Sequence, residues 1–188
     1  HVRSRRQRQM CIRDSYNEYD AEAGFLAGFS ANFVAALLST THTVGKATVD
    51  GGGTESCTDK IFLATCTEVG LSGDVTAGSK LALFSNDSSR LAYPTAEAVS
   101  KSEYTDSSLN VNSPWYWWLA DAYASNSFSV RYVNSSGAVL WNYAYFGGIG
   151  VRPLCNLSSG ILVSDSPDSD GAYTVSYTHL RAPRRRGI

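Results

Sequence analysis

One stretch constrains this chain more than any other. Residues 114–154 read PWYWWLADAYASNSFSVRYVNSSGAVLWNYAYFGGIGVRPL and hold all four tryptophans and 11 of the 22 aromatic residues. Large aromatic rings bury about 150–250 Å² each and dominate core energetics, so Trp115-Tyr116-Trp117-Trp118-Leu119 has to enter a core. Phe128-Ser129-Val130-Arg131-Tyr132-Val133 alternates large with small or polar residues, as a half-buried strand does. Asn134-Ser135-Ser136-Gly137 supplies turn chemistry, and Ala138–Ala144 reads as the returning strand of a β-hairpin. Gly147, Gly148 and Gly150 punctuate the next turn. Val151-Arg152-Pro153-Leu154 leads into a further strand, with Pro153 confined to a strand end or edge because it cannot donate to a ladder.

The rest of the chain is sparser. Phe25, Leu26, Phe29, Phe33, Leu37 and Leu38 fall at helical spacing and predict an amphipathic core helix over 24–39. Thr43–Val49 reads as a strand ended by Asp50-Gly51-Gly52-Gly53, a turn without the Lys-Ser/Thr of a phosphate loop. Lys60–Thr65 is the best strand of the N-terminal half. Residues 70–80 read as loop, Leu81–Phe84 as a short buried segment, and residues 85–113 as irregular with one helical turn at Ala96–Ser100. Ile161-Leu162-Val163 is the one apolar run after Asn156, a final strand or the start of a linker.

The two ends read as foreign. Gln9–Ser15 can be encoded by CAG ATG TGT ATA AGA GAC AGx, and the reverse complement of that run encodes Thr174–Leu180. This pairing resembles a transposon-based sequencing adapter read through into an open frame. The expected organisation is adapter at 1–15, one domain at 16–157, an extension or linker at 158–174, and adapter at 175–188. Nine of the 16 Lys and Arg and one of the 17 acids lie in the two ends, which leaves a body with a net charge of −9. That balance argues against a nucleic-acid surface. Arginines followed by Gly24–Phe29 mimic a signal peptide only while those arginines are counted. No segment reaches the ~18 uninterrupted apolar residues of a membrane span, so no membrane insertion is expected.

Candidate chemistry is thin. Of the four cysteines, three lie inside the domain, Cys57, Cys66 and Cys155, an odd set without C-x-x-C spacing, which disfavours a structural zinc site. Inert buried thiols are the favoured reading, with a Cys57–Cys66 disulfide as the extracellular alternative. His42 stands alone in a Ser/Thr-rich turn and reads as a surface residue. Asp165, Asp168, Asp170 and Gly171 read as a solvated acidic loop, since the glutamate that closes a calcium loop is missing. No catalytic residue, metal ligand or cofactor is therefore assigned. What stands out is the decoration of the hairpin by Tyr123, Asn126, Phe128, Tyr132, Trp141, Asn142, Tyr143, Tyr145 and Phe146. Tyr, Trp, Ser, Gly and Asn are the residues of binding loops, because rigid amphipathic rings give contact area at low entropic cost. Alternation sends Trp141, Tyr143 and Tyr145 to one face and Leu140, Asn142 and Ala144 to the other. If only one face is core, the other is available to a ligand; the competing reading packs all these rings inside.

Tyr116-Trp117-Trp118-Leu119, Val130, Val133, Gly137 and Gly150-Val151-Arg152-Pro153-Leu154, with Asn156-Leu157 after them, resemble a pattern known from bacterial and phage domains of unknown function. That pattern runs YWWLRSP, then V-x-x-V-x-x-x-G, then GVRPALNL. Asp59–Leu63 and Thr67-Glu68-Val69 resemble its upstream DKIFLLS-x-TEV element, so the likeness spans about residues 25–157. Ala120-Asp121-Ala122 departs from it, standing where the pattern has Arg-Ser-Pro, so the arginine of the buried network expected there is absent. The resemblance implies an α+β, C-type-lectin-like fold of the kind shared by formylglycine-generating enzymes and retroelement-diversified proteins: one domain with long loops and a C-terminal β-hairpin. It further implies a non-enzymatic module displayed on a phage particle or bacterial surface, binding a host-surface protein or glycan. A structural virion protein packing through the same surface is the alternative, and a formylglycine-type oxidoreductase a remote one.

Overall fold

The computed structural model describes Leu26 and residues 29–104, 106–167 and 175–177. Its elements are a mixture of short helices and antiparallel sheets, an α+β arrangement. In chain order they are helix α1 (Ala31–Ala36) and strands β1 (Leu37–Leu38), β2 (Thr40–Gly45), β3 (Thr54–Asp59) and β4 (Ile61–Phe62). Helix α2 (Ala96–Lys101) follows, then β5 (Trp117–Ala122), β6 (Ser129–Val133), β7 (Val139–Tyr143), β8 (Leu154–Leu157), β9 (Ile161–Val163) and β10 (Val175–Tyr177).

The expected helix over 24–39 is reduced to α1. Ser30 caps it by accepting the Phe33 N–H, and at Leu37 the backbone turns extended. The helical spacing misleads because Leu37 and Leu38 pair with Leu157 and Asn156 of β8; a sheet contact overrides a local pattern. Of the predicted span, residues 24, 25, 27 and 28 lie outside the described residues. The strand expected at Thr43–Val49 is β2, shifted to Thr40–Gly45, and Thr48–Asp50 is a 3-10 turn. Gly51, Gly52 and Gly53 all take positive φ beyond it, which makes this run the predicted turn. The strand expected at Lys60–Thr65 shrinks to β4. The longer partner is the polar β3, which pairs along its whole length with β2. Of the segment Leu81–Phe84, Phe84 is fully buried and Leu83 is exposed. The helical turn at Ala96 is α2, capped by the Thr95 hydroxyl.

The hairpin is where the sequence places it. β5, β6 and β7 form an antiparallel meander, with Ser129 opposite Tyr143 and Val133 opposite Val139. Asn134 Oδ1 accepts the backbone N–H groups of Ser136 and Ala138, and Gly137 closes the turn at φ 84°. Both faces of this sheet are covered around β5. On one side Trp117, Leu119 and Val133 pack with Ala64, Cys66, Val69 and Phe84. On the other Trp118 and Val130 pack with Leu63 and Ile149. That is why β5 is buried at nearly every position rather than at alternate ones. The indole N–H of Trp117 donates to the Arg90 carbonyl at 2.9 Å, and Arg152 lies over both the Phe84 and Trp117 rings.

Asp121, at the position where the family pattern departs, is an internal tie. Its Oδ1 accepts the Gly45 N–H at 2.8 Å and its Oδ2 the Cys66 N–H at 2.6 Å. The carboxylate thus joins β5 to the end of β2 and to the loop after β4. Burial raises its pKa, while those two backbone donors and Arg131 pull the other way. Nearby, Thr65 and Glu68 staple a turn reciprocally: the Glu68 carboxylate accepts the Thr65 N–H, and the Thr65 hydroxyl accepts the Glu68 N–H. Cys66 is the fully buried free thiol inside that turn, so it makes no disulfide with Cys57. The expectation of three buried thiols holds for Cys66 alone, since Cys57 is half-buried and Cys155 exposed on the short strand β8.

Candidate functional site: an exposed aromatic edge

The site starts from the register of β6 and β7. Arg131 faces Trp141 directly, and Tyr143 lies two residues further along β7 on the same face. At this end of the sheet the face carries Tyr123, Phe128 and Asp74, and its rings stay partly exposed. The rings there stack against each other. Tyr123, just past β5, lies parallel to Trp141 with centroids 4.7 Å apart and planes 7° off. Trp141 meets Tyr143 edge-on at 6.3 Å, and Tyr143 stacks on Tyr145 at 5.3 Å. Phe128 adds a tilted contact to Tyr143 at 5.5 Å. Trp141 is 43 % exposed, Tyr143 39 %, Phe128 49 % and Tyr145 75 %.

A charged clamp holds one end of this ladder. The Arg131 guanidinium sits 4.7 Å from the centroid of Tyr123, on a ring whose other stacking partner is Trp141. Asp74 fixes the guanidinium with two short bonds, Nη2 to Oδ1 at 2.7 Å and Nε to Oδ2 at 3.0 Å. The same carboxylate accepts the Ala124 N–H at 3.1 Å. A bidentate pair sets orientation as well as charge, so Arg131 is held in a fixed orientation against the Tyr123 ring.

Five of the nine sequence-predicted residues meet in this ladder: Tyr123, Phe128, Trp141, Tyr143 and Tyr145. The other four do not. Tyr132 points to the opposite face, edge-on to Trp118 and Tyr116, and Phe146 packs against Tyr104 and the second core cluster. Both rings are half-buried against that cluster. Asn142 alternates away from Trp141, and Asn126 caps its own loop by accepting the Phe128 N–H at 3.2 Å.

Sequence reasoning missed a cavity of about 480 Å³ between the segment 91–109 and the glycine-rich turn. Tyr104, Trp115, Tyr116 and the backbone of residues 147–150 line it. Trp115 donates its indole N–H to the Gly148 carbonyl at 2.8 Å. A Cβ on Gly148 would lie 2.8 Å from carbons of both Phe146 and Tyr104, so a glycine is what lets the turn close on these rings. The signal was present in Gly147-Gly148-Ile149-Gly150, read there only as a turn. His42, read as a surface residue, is buried instead, and its register partner is Cys57.

Comparison with known families gives one match: the model described as Domain of unknown function (DUF6273) covers residues 9–159. No curated protein and no solved structure matches the chain.

Proposed function

We propose that this chain, which belongs to the DUF6273 family of domains of unknown function, is a non-enzymatic ligand- or receptor-binding module. In this reading it has a lectin-like fold related to that of formylglycine-generating enzymes, and it is displayed on a phage particle or bacterial surface. The partner is a host-surface protein or glycan. One observation carries the reading: Trp141, Tyr143 and Tyr145 are exposed on a half-buried base of Arg131 and Tyr123, although such rings normally gain by burial. Tyr, Trp and Arg are the residue types that dominate binding hot spots, and contiguous exposed apolar patches mark interaction sites. The clamp on Tyr123 lowers the entropy lost when a partner docks. The mixed ring-and-hydroxyl chemistry suits a partly polar partner better than a lipid.

A second reading, a structural virion protein packing through the same surface, draws on one feature. β7 is the outer strand of its sheet among the described residues, and an open edge is a template for a neighbouring chain. Sedimentation of the purified chain separates the two. A monomer that labels cells or glycans through the ladder fits the binding module, whereas regular oligomers that bury Trp141 fit the packing role.

A further inference from the structure

The β2–β3 hairpin carries a cluster unrelated to the aromatic edge. Its register sets His42 opposite Cys57, and Thr40 opposite Asp59. Asp59 follows Cys57 by two residues, so alternation brings His42, Cys57 and Asp59 to one face. One donor atom from each, an imidazole nitrogen, a sulfur and a carboxylate oxygen, lie within 4.8 Å of one another. The His42 side chain is only 4 % accessible, and its Nε2 is 4.0 Å from Asp59 Oδ2. Neither of its ring nitrogens has a hydrogen-bond partner. The Phe62 ring stacks on the imidazole at 4.7 Å, which holds it in place. Leaving a buried polar group unsatisfied costs about 1–3 kcal/mol, so an imidazole pinned this way beside a thiol and a carboxylate has an unmet need.

We propose that His42, Cys57 and Asp59 form a three-ligand site for a zinc-class divalent cation, with the fourth position open to water or an external ligand. The donor set selects the class. Thiolate and imidazole suit zinc and its neighbours, whereas magnesium and calcium take oxygen donors. Three protein ligands with one open vertex is the arrangement of accessible zinc sites. Bond lengths of about 2.0–2.3 Å place tetrahedral donors roughly 3.3–3.8 Å apart, so the side chains close by about 1 Å on an ion while the paired backbone stays fixed.

The test is a cobalt(II) titration of the full chain after chelator treatment, followed by zinc(II) displacement. The expected result is one cobalt per chain, with a thiolate-to-metal charge-transfer band and intense visible bands of a four-coordinate ion, all removed by zinc. Cys57→Ser abolishes the charge-transfer band and His42→Gln weakens binding at least tenfold, while Cys155→Ser changes neither. Because His42→Gln replaces a buried ring and can fail to fold, Cys57→Ser carries the decision, with its circular dichroism matched to wild type. A wild-type chain that takes up no cobalt overturns the site. So does a charge-transfer band that survives Cys57→Ser or vanishes with Cys155→Ser.

Discussion

The ring of Tyr123 lies flat on the indole of Trp141, 4.7 Å away and 7° from parallel. Tyr123 follows β5 and Trp141 belongs to β7, so the contact spans the sheet over β6, and the Arg131 guanidinium of β6 also lies over the ring, 4.7 Å from its centroid. Replacing Tyr123 with Leu removes the stack but leaves the sheet intact. Aromatic pairs contribute about 0.5–1.5 kcal/mol beyond their burial, so the loss of stability stays in that range. The near-ultraviolet circular dichroism of Trp141 weakens at the same time, which checks that the indole has lost its fixed orientation.

Arg131→Lys keeps the charge and loses the geometry. A lysine cannot hold Asp74 in a two-point bond or lie flat on Tyr123. The pair is partly open to solvent, with side-chain exposures of 14 % and 24 %, so the expected cost is about 1–2 kcal/mol in urea denaturation. Affinity for a partner falls further than stability does, because Tyr123 is no longer pre-ordered.

Asp121 is expected to matter more than any residue of the ladder for folding. Asp121→Ala strands the buried N–H groups of Gly45 and Cys66, at about 1–3 kcal/mol each, so the variant loses roughly 2–6 kcal/mol in urea denaturation. Asp121→Asn leaves one acceptor and costs less. The pH dependence follows from the raised pKa of Asp121, whose first cause is burial. Above its ordinary value of 3.8 the unfolded carboxyl has given up its proton while the folded one still holds it. The wild type therefore loses stability relative to Asp121→Asn as pH rises from that value to the folded pKa, and the difference then levels off. A difference that grows in favour of wild type over the same range contradicts this assignment.

Gly148→Ala tests the cavity wall. The backbone at this position is one that alanine can adopt, since Gly148 is not among the positive-φ glycines, so any penalty is steric. A methyl group would meet Phe146 and Tyr104 at 2.8 Å. Overpacking of this kind costs about 1–3 kcal/mol, read as a lowered thermal midpoint with the aromatic ladder unaffected.

The parts of this structure legible in the sequence are those fixed by neighbours in the chain. The alternation of Phe128–Val133 and the Asn134–Gly137 turn specify their hairpin locally, and that hairpin brings Trp141, Tyr143 and Tyr145 to one face. The parts that were not legible depend on remote pairing. Leu37 and Leu38 carry a helical spacing yet join β8, and β3 is too polar to look like a strand until β2 is beside it. His42 and Cys57 become neighbours only through that same pairing. Tyr132 and Phe146 look identical in kind to Tyr143 and Tyr145, and only the cover supplied by Trp118, Tyr116 and Tyr104 separates core rings from exposed ones.

In the proposed role the ladder recognises a partner and does not hold the fold together. Its most direct test compares wild type with the Trp141→Ala/Tyr145→Ala double variant for labelling of a panel of bacterial cells and a glycan array, with thermal midpoints measured on both. Losing hot-spot residues costs at least about 2 kcal/mol of binding, roughly a 30-fold drop in affinity. Wild type is expected to label a subset of the panel and the double variant none of it, with midpoints that agree within about 4 °C. A double variant that unfolds, or one that labels as well as wild type, contradicts it.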